Sequence, residues 1–196
     1  NPIKDVLIAG CGTGQQLVSK TSYENSRILA VDLSLSSLAF AKRKMQELNH
    51  SNIEFLHGDI LNLKNLNRKF SVIECVGVLH HLRDPEKGLE ILLDILMPKG
   101  YLKLGLYSEF ARKHIVETRE LIKKYNINSN ILDIRKFREI VKNDKDNKAF
   151  QKLNYNYDFY STSNVRDLIF HVQEHRYTLP LIIKLLRKYN LKFLGF

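Results

Sequence analysis

The chain has no tryptophan, two cysteines, two methionines and four prolines among its 196 residues. Two cysteines, Cys11 and Cys75, each at the end of an expected strand, make no disulfide framework and point to a reducing, cytoplasmic setting. No apolar run approaches the roughly 20 residues of a membrane span, so no membrane partner is expected. No signal-peptide pattern opens the sequence. Acidic residues are outnumbered, 21 Asp and Glu against 31 Lys and Arg, for a net charge of +10. That surplus admits nucleic acid, acidic lipid or an anionic substrate. The lysines are scattered with no dense basic block, which favours an ordinary solvated surface over a nucleic-acid partner.

What is there is a core-forming composition, 44% hydrophobic, long enough for one substantial domain. Val6, Leu7, Ile8 and Ala9 form an apolar run suited to a strand buried on both faces. Gly10, Gly12 and Gly14 follow, and Thr13 to Tyr23 reads as a helix. A strand, a glycine turn and a helix N-terminus together suit a nucleotide-type ligand, because glycine lets the backbone approach it closely. The alternation then continues. Strands are expected over 27–32, 53–60, 69–78 and 101–107. Helices are expected after Ser34, with Leu38, Ala41, Met45 and Leu48 on one face, and over 84–96, with Asp84 as cap and Pro85 at the first position. This rhythm predicts an α/β fold with a doubly wound, mostly parallel sheet.

From Ser108 to Asn190 the segments read as helices: 108–125, 131–143, 163–176 and 179–189, with a polar loop over 143–151. Eighty residues are too many for a connector. An insertion leaving the fifth strand would lie over the carboxyl ends of the strands, where such sheets bind ligands. The expected organisation is therefore a cofactor-binding core over residues 1–107, a helical cap over 108–190 forming an acceptor site, and a returning core strand over 191–196. The chain is expected to be truncated at both ends.

Acidic residues stand at successive strand ends: Asp32 closes the second strand and Asp59 follows the third. A carboxylate at the end of strand two can accept both ribose hydroxyls. A nicotinamide cofactor asks for G-x-G-x-x-G, whereas this loop is G-x-G-x-G with Gln15 at the third glycine's place, and Asp59 has no task there. S-adenosylmethionine, with ribose, adenine and a charged tail but no phosphate, suits the same positions better.

The segments VLIAGCGTGQQ, AVDLS, HGDI, FSVIECVGVLHHL and LMPKGYLKLGLY resemble, in order and spacing from Val6 to Tyr107, the motifs of class I S-adenosylmethionine-dependent methyltransferases. VLHHL followed by DP resembles their small-molecule type. YSEFARKHIVETREL and DFYSTSNVRDLIFHVQEHRYTLP look like the methyltransferase domain that follows tetratricopeptide repeats in some bacterial proteins. The resemblance implies a Rossmann-like fold, upstream repeats or a helix, and an antiparallel seventh strand. It also implies that Gly10, Cys11, Gly12 and Gly14 surround the methionine part of the cofactor. Asp32 would bind ribose, Leu33 would pack on adenine, Asp59 with Ile60 would face the adenine amino group, and backbone near Cys75 would approach the cofactor's amino group.

Methyl transfer from a sulfonium is an in-line displacement in which positioning does most of the work, and a base is needed only if the acceptor demands one. Candidate catalytic groups are His81, Tyr107 and His171. Of the pair His80 and His81, at least one is expected to be structural. Glu74 stands where many DNA and protein amine methyltransferases carry Asn/Asp-Pro-Pro-Tyr/Phe, which argues against DNA-amine methylation. His171 and His175, four apart on an expected helix, match H-x-x-E-H with Glu174. No third ligand at a fitting spacing is evident, so no metal is expected. Tyr107, Tyr160, His171, His175 and Arg176 are expected to bind the acceptor, a small molecule or a peptide-like group. The alternatives are a non-catalytic cofactor-binding domain of a repeat protein and, further off, an NAD-dependent oxidoreductase.

Overall fold

The structure, a computed structural model, describes residues 4–18, 25–171 and 173–196. It divides into two compact units, residues 1–106 and 107–196.

The first unit is a five-stranded parallel sheet in the order β3-β2-β1-β4-β5, built from β1 (Lys4–Ala9), β2 (Ser26–Asp32), β3 (Ile53–His57), β4 (Phe70–Val76) and β5 (Leu96–Gly105). This is the doubly wound arrangement expected of alternating strands and helices. Strand β1 lies at the centre, with Val6 beside Ile28 and Val72, and Leu7 beside Leu29 and Ile73. Period-two geometry sends Val6, Ile8, Ile28 and Ala30 to one face, where they pack with Cys11, Leu17, Leu38 and Met45. Leu7, Leu29 and Ile73 are buried on the other.

The helices of this unit are α1 (Gln15–Val18), α2 (Leu35–Glu47) and α3 (Pro85–Ile95). The α1 helix opens two residues later than expected, and residues 19–23 of that expected helix lie outside the described residues. Ser34 caps α2 by accepting the amide of Ser37, and Asp84 caps α3 by accepting the amides of Glu86 and Lys87 with Pro85 in the first turn. Each such cap contributes about 1 kcal/mol. Leu38, Ala41 and Met45 form the buried stripe of α2. The third strand stops at His57, and Ile60–Leu66 form a 3-10 helix capped by Asp59.

Strand β5 begins directly after α3 and runs through Met97-Pro98-Lys99-Gly100, where the sequence pattern suggests only a break. The ladder absorbs this segment as a bulge: Phe70 pairs with Leu96, but Val72 already pairs with Tyr101. Proline, lacking an amide donor, is tolerated at such a bulge.

The second unit is helical: α4 (Lys113–Lys124), α5 (Ile131–Asn143), α6 (Lys148–Asn154), α7 (Thr162–Phe170) and α8 (Leu179–Lys188), with a 3-10 turn at Tyr157–Tyr160. Its core gathers Ile115, Ile122, Ile134, Phe137, Val141, Phe150, Leu153, Phe159, Val165, Leu168 and Ile169.

Four expectations are corrected here. The polar stretch read as a loop contains α6, which Asn147 nucleates by accepting the amides of Ala149 and Phe150 while Phe150 and Leu153 enter the core. Helix α4 starts at Lys113, because Ser108 instead bridges Tyr177 and accepts the Ala111 amide on its hydroxyl. Helix α7 ends at Phe170, not at Arg176, and His171 is extended; Val172 lies outside the described residues. Finally, residues 191–196 form no strand and are mostly exposed. A strand requires a hydrogen-bonded neighbour, and their apolar side chains do not supply one.

Candidate functional site

At the carboxyl end of the sheet, Gly10, Gly12 and Gly14 all have positive φ, at 79°, 52° and 87°. The amides of Gly10 and Cys11 both donate to the Val31 carbonyl, locking the loop across the tip of β2. The three glycines are not equivalent. A Cβ at Gly10 would stand 2.2 Å from a Val78 methyl, and one at Gly14 would stand 3.0 Å from Ala41 Cβ. A Cβ at Gly12 would meet nothing within 4 Å. Gly10 and Gly14 therefore serve packing, and Gly12 faces space that a ligand could fill. Gly10→Ala is expected to destabilise the first unit strongly, through both the clash and the left-handed backbone. Gly12→Ala should cost only about 1–2 kcal/mol from its backbone conformation. Thermal denaturation of the two variants checks this, and equal losses would sink the distinction.

Asp32, at the end of β2, is held on both oxygens. Oδ2 accepts the Gly12 amide at 2.7 Å and Oδ1 accepts the Ser34 amide at 2.8 Å. Each carboxylate oxygen has a second lone pair, so the group is oriented and still able to accept. Leu33 beside it is 69% exposed, an apolar side chain open at the site. Asp59 accepts the Leu61 amide at 2.8 Å, and Ile60 is buried beneath it.

The Cys11 and Cys75 side chains point into the core. Burial, with the nearby Asp32 charge, pushes the Cys11 thiol up to about 12, and burial pushes the Cys75 thiol up to about 12 as well. Neither is a thiolate at neutral pH, so neither side chain offers a nucleophile or an anionic ligand atom. His81 ends the 3-10 turn Leu79–His81 after β4, its ring 4.3 Å from that of buried His80 in an edge-to-face contact.

Three residues not singled out in the sequence join this edge. Gln16 donates its side-chain amide to the Val76 carbonyl at 3.4 Å. Gly77 follows β4 at φ 79°, with open space where a Cβ would stand. His57 Nε2 lies 3.0 Å from the Leu33 carbonyl, fixing the tip of β3 against the Asp32 turn. GQQ after the glycine loop and the glycine ending CVG carry the first two signals; no pattern announces His57.

In the second unit, Tyr107 is clamped by its surroundings. Its carbonyl accepts the Tyr177 amide at 2.8 Å, and the Arg112 guanidinium lies 3.9 Å from its ring centre. Burial raises the phenol's pKa, Arg112 opposes this, and Asp167, Glu174 and Asp158 raise it further, so Tyr107 keeps its proton at neutral pH. His171 and His175 do not share a helical face, because helix α7 has ended. The Gln173 amide donates to His171 Nδ1 at 3.3 Å, and His175 Nε2 lies 3.2 Å from Gln173 Nε2. Glu174 is turned inward, its side chain 1% exposed. It accepts Arg112 Nε at 3.2 Å and Arg119 Nη2 at 2.9 Å, with Arg176 Nη1 at 3.8 Å. Glu174 of the H-x-x-E-H pattern is thus the centre of an ion-pair knot, and the pattern is not helical. Arg176 also pairs with Glu109, and Tyr160, exposed, donates its hydroxyl to the Asn154 carbonyl.

Residues 6–100 match the sequence profile of a family described as a methyltransferase domain. An uncharacterized protein of Synechococcus sp., syc1184_c, is 37% identical over 123 residues, which is 60% of this chain and 28% of that protein. The structure of PKMT2 from Rickettsia typhi in complex with AdoHcy superposes with a TM-score of 0.76 at 24% identity, covering 98% of this chain and 40% of that one. An S-adenosylmethionine-dependent methyltransferase from Clostridium acetobutylicum gives a TM-score of 0.51 at 26% identity, over 57% of this chain and 46% of its own. The five-stranded parallel sheet of the first unit has the Rossmann-like methyltransferase fold. The chain spans less than half the length of each of these three proteins.

Proposed function

We propose that the first unit binds S-adenosylmethionine and that the protein transfers the cofactor's methyl group to a small-molecule or peptide-like acceptor. The observation that carries this reading is Asp32: a carboxylate at the end of β2, oriented by the Gly12 and Ser34 amides beside the open space over Gly12. Its free lone pairs suit the two ribose hydroxyls. Leu33, exposed, offers an apolar face to adenine, and Asp59 with Ile60 lies at the next strand end. Gly10 and Gly14 shape the loop that Gly12 presents to the methionine part, together with backbone at Cys11 and Cys75. The bound cofactor supplies an electrophilic methyl group on sulfur.

Tyr107, Tyr160, His171, His175 and Arg176 are proposed to bind the acceptor. Tyr107, protonated and clamped, can donate a hydrogen bond. His81 and His171 are the candidates to take a proton where the acceptor requires it, and Tyr107 is the candidate to donate one. The finer reading, a methyltransferase domain from a protein with tetratricopeptide repeats, rests on YSEFARKHIVETREL and the DFYSTSNVRDL stretch.

Titration calorimetry with S-adenosylmethionine, S-adenosylhomocysteine and NADH tests the cofactor. Binding of the first two without NADH is expected; binding of NADH alone would overturn the reading.

A further inference from the structure

Helices α4 and α6 pack together, and at their ends lies a cavity of about 380 Å³ lined by Phe110, Ala111, Lys113, His114, Lys152 and Tyr155. None of the residues proposed for cofactor or acceptor is among them. Phe110 is 79% and Tyr155 91% exposed. Two aromatic rings held in water at one cavity are an unfavourable arrangement for a merely solvated surface, and such exposed apolar area marks contact sites. The cations are arranged with them: Lys113 Nζ lies 5.1 Å from the centre of the Phe110 ring, close enough for a cation–π contact. Among the described residues, no acidic side chain lines the cavity to neutralise Lys113 and Lys152.

His114 completes the lining. Burial lowers its pKa first, followed by the charges of Lys152 and Arg112, while a hydrogen bond to Ala111 backbone and the Glu117 charge oppose them. Its ring is neutral at pH 7, and it adds hydrogen-bonding capacity without a third charge.

Each simple ligand class leaves part of this set unused. An apolar ligand would desolvate two ammonium groups without pairing them. A bare anion would satisfy the lysines and leave both rings in water. An acidic peptide without apolar side chains would do the same. A flat base carrying a phosphate uses all of it, with π-faces for the rings, an anion for the lysines and a polar edge for the imidazole.

We propose that the cavity between α4 and α6 binds an unpaired nucleotide, stacking its base on Tyr155 and Phe110 and holding its phosphate with Lys113 and Lys152. This site is separate from the methyl-transfer reading and stands if that reading fails. Its chemistry is shared by a free mononucleotide and by one residue of a single-stranded nucleic acid.

The test uses the whole chain, with fluorescence anisotropy on labelled oligo(U) and oligo(dT) octamers and calorimetry with UMP and AMP. Binding of an octamer, a mononucleotide or both is expected. Octamer binding alone assigns the strand, and comparable mononucleotide binding assigns the free nucleotide. Tyr155→Ala should weaken binding about 10-fold, the scale of one lost stacking contact. For an octamer, the double substitution Lys113→Ala/Lys152→Ala should reduce the slope of log affinity against log salt by about 0.7, the value for the one phosphate they hold on a single strand. Tyr157→Ala, an equally exposed tyrosine outside the cavity, should leave affinity unchanged. All four side chains are exposed, so these variants keep the fold. No binding of any probe, insensitivity to Tyr155→Ala, or equal competition by poly-glutamate would overturn the proposal.

Discussion

Glu174→Gln is expected to destabilise the helical unit by about 3–5 kcal/mol, the usual cost of removing one partner from a buried ion pair. Three guanidinium groups converge on this one buried carboxylate, and Arg112 and Arg119 also donate to the Leu168 carbonyl at 3.1 Å. Glutamine keeps the shape but brings no charge and offers an amino group where an acceptor is required. Arg112, buried, and Arg119, half-buried, are then left without their anion. Urea unfolding followed by circular dichroism and tyrosine fluorescence reads the effect; a loss below about 1 kcal/mol would show that the knot contributes little. The pH dependence has a definite sign. Burial pushes the Glu174 carboxyl up, but the hydrogen bond and charge of Arg112, with the charges of Arg119 and Arg176, hold it below its ordinary value. A carboxyl with a depressed folded pKa contributes stability above its unfolded value of about 4.3 and loses that contribution as pH falls through the folded value. The parent protein should therefore lose stability in acid more steeply than Glu174→Gln does.

Asp32→Asn is expected to weaken S-adenosylhomocysteine binding about 100-fold or more. Hydrogen bonds to a charged group contribute about 1.5–3 kcal/mol each, and about 2.8 kcal/mol already corresponds to 100-fold. The isosteric amide does not rescue the site, because both oxygens of Asp32 accept backbone amides. Its NH2 must face either the Gly12 or the Ser34 N–H, donor against donor, which also loosens the glycine loop. Calorimetry gives the affinity, and thermal denaturation gives the smaller cost to the fold. Unchanged affinity would remove Asp32 from the ribose role.

The strand cores, Asp32, and the caps Ser34 and Asp84 were legible in the sequence because each rests on local chemistry: a short apolar run, a carboxylate at a strand end, a side-chain acceptor before an apolar stripe. The places that were not legible depend on distant partners. Nothing in HVQEHR announces that the helix stops at Phe170. It stops where Arg112 and Arg119, from the far end of the unit's sequence, take the carbonyls of Leu168 and Ile169. Those carbonyls belong to the last turn, where intrahelical partners run out. Helix α6 was hidden because its polar approach looks like loop, and only the burial of Phe150 and Leu153 makes it fold. Pro98 reads as a breaker until the bulge against Phe70 and Val72 is seen. The glycine loop was visible as a motif, but the division between Gly10 and Gly12 was not, since it depends on where Val78 lies.

The central position of β1 also sets an order of events during folding. Its neighbours are β2, close in sequence, and β4, whose Val72 and Glu74 meet Val6 and Ile8 across a long intervening stretch. As the chain emerges from the ribosome, β1 must wait with one edge unpaired until β4 arrives, and an unpaired apolar strand is where aggregation begins. The helical unit also closes over a long stretch, from Arg112 and Arg119 to Glu174, but it leaves no strand edge open while it waits. The slow, chaperone-dependent part of this molecule is thus expected to be the sheet that holds Asp32.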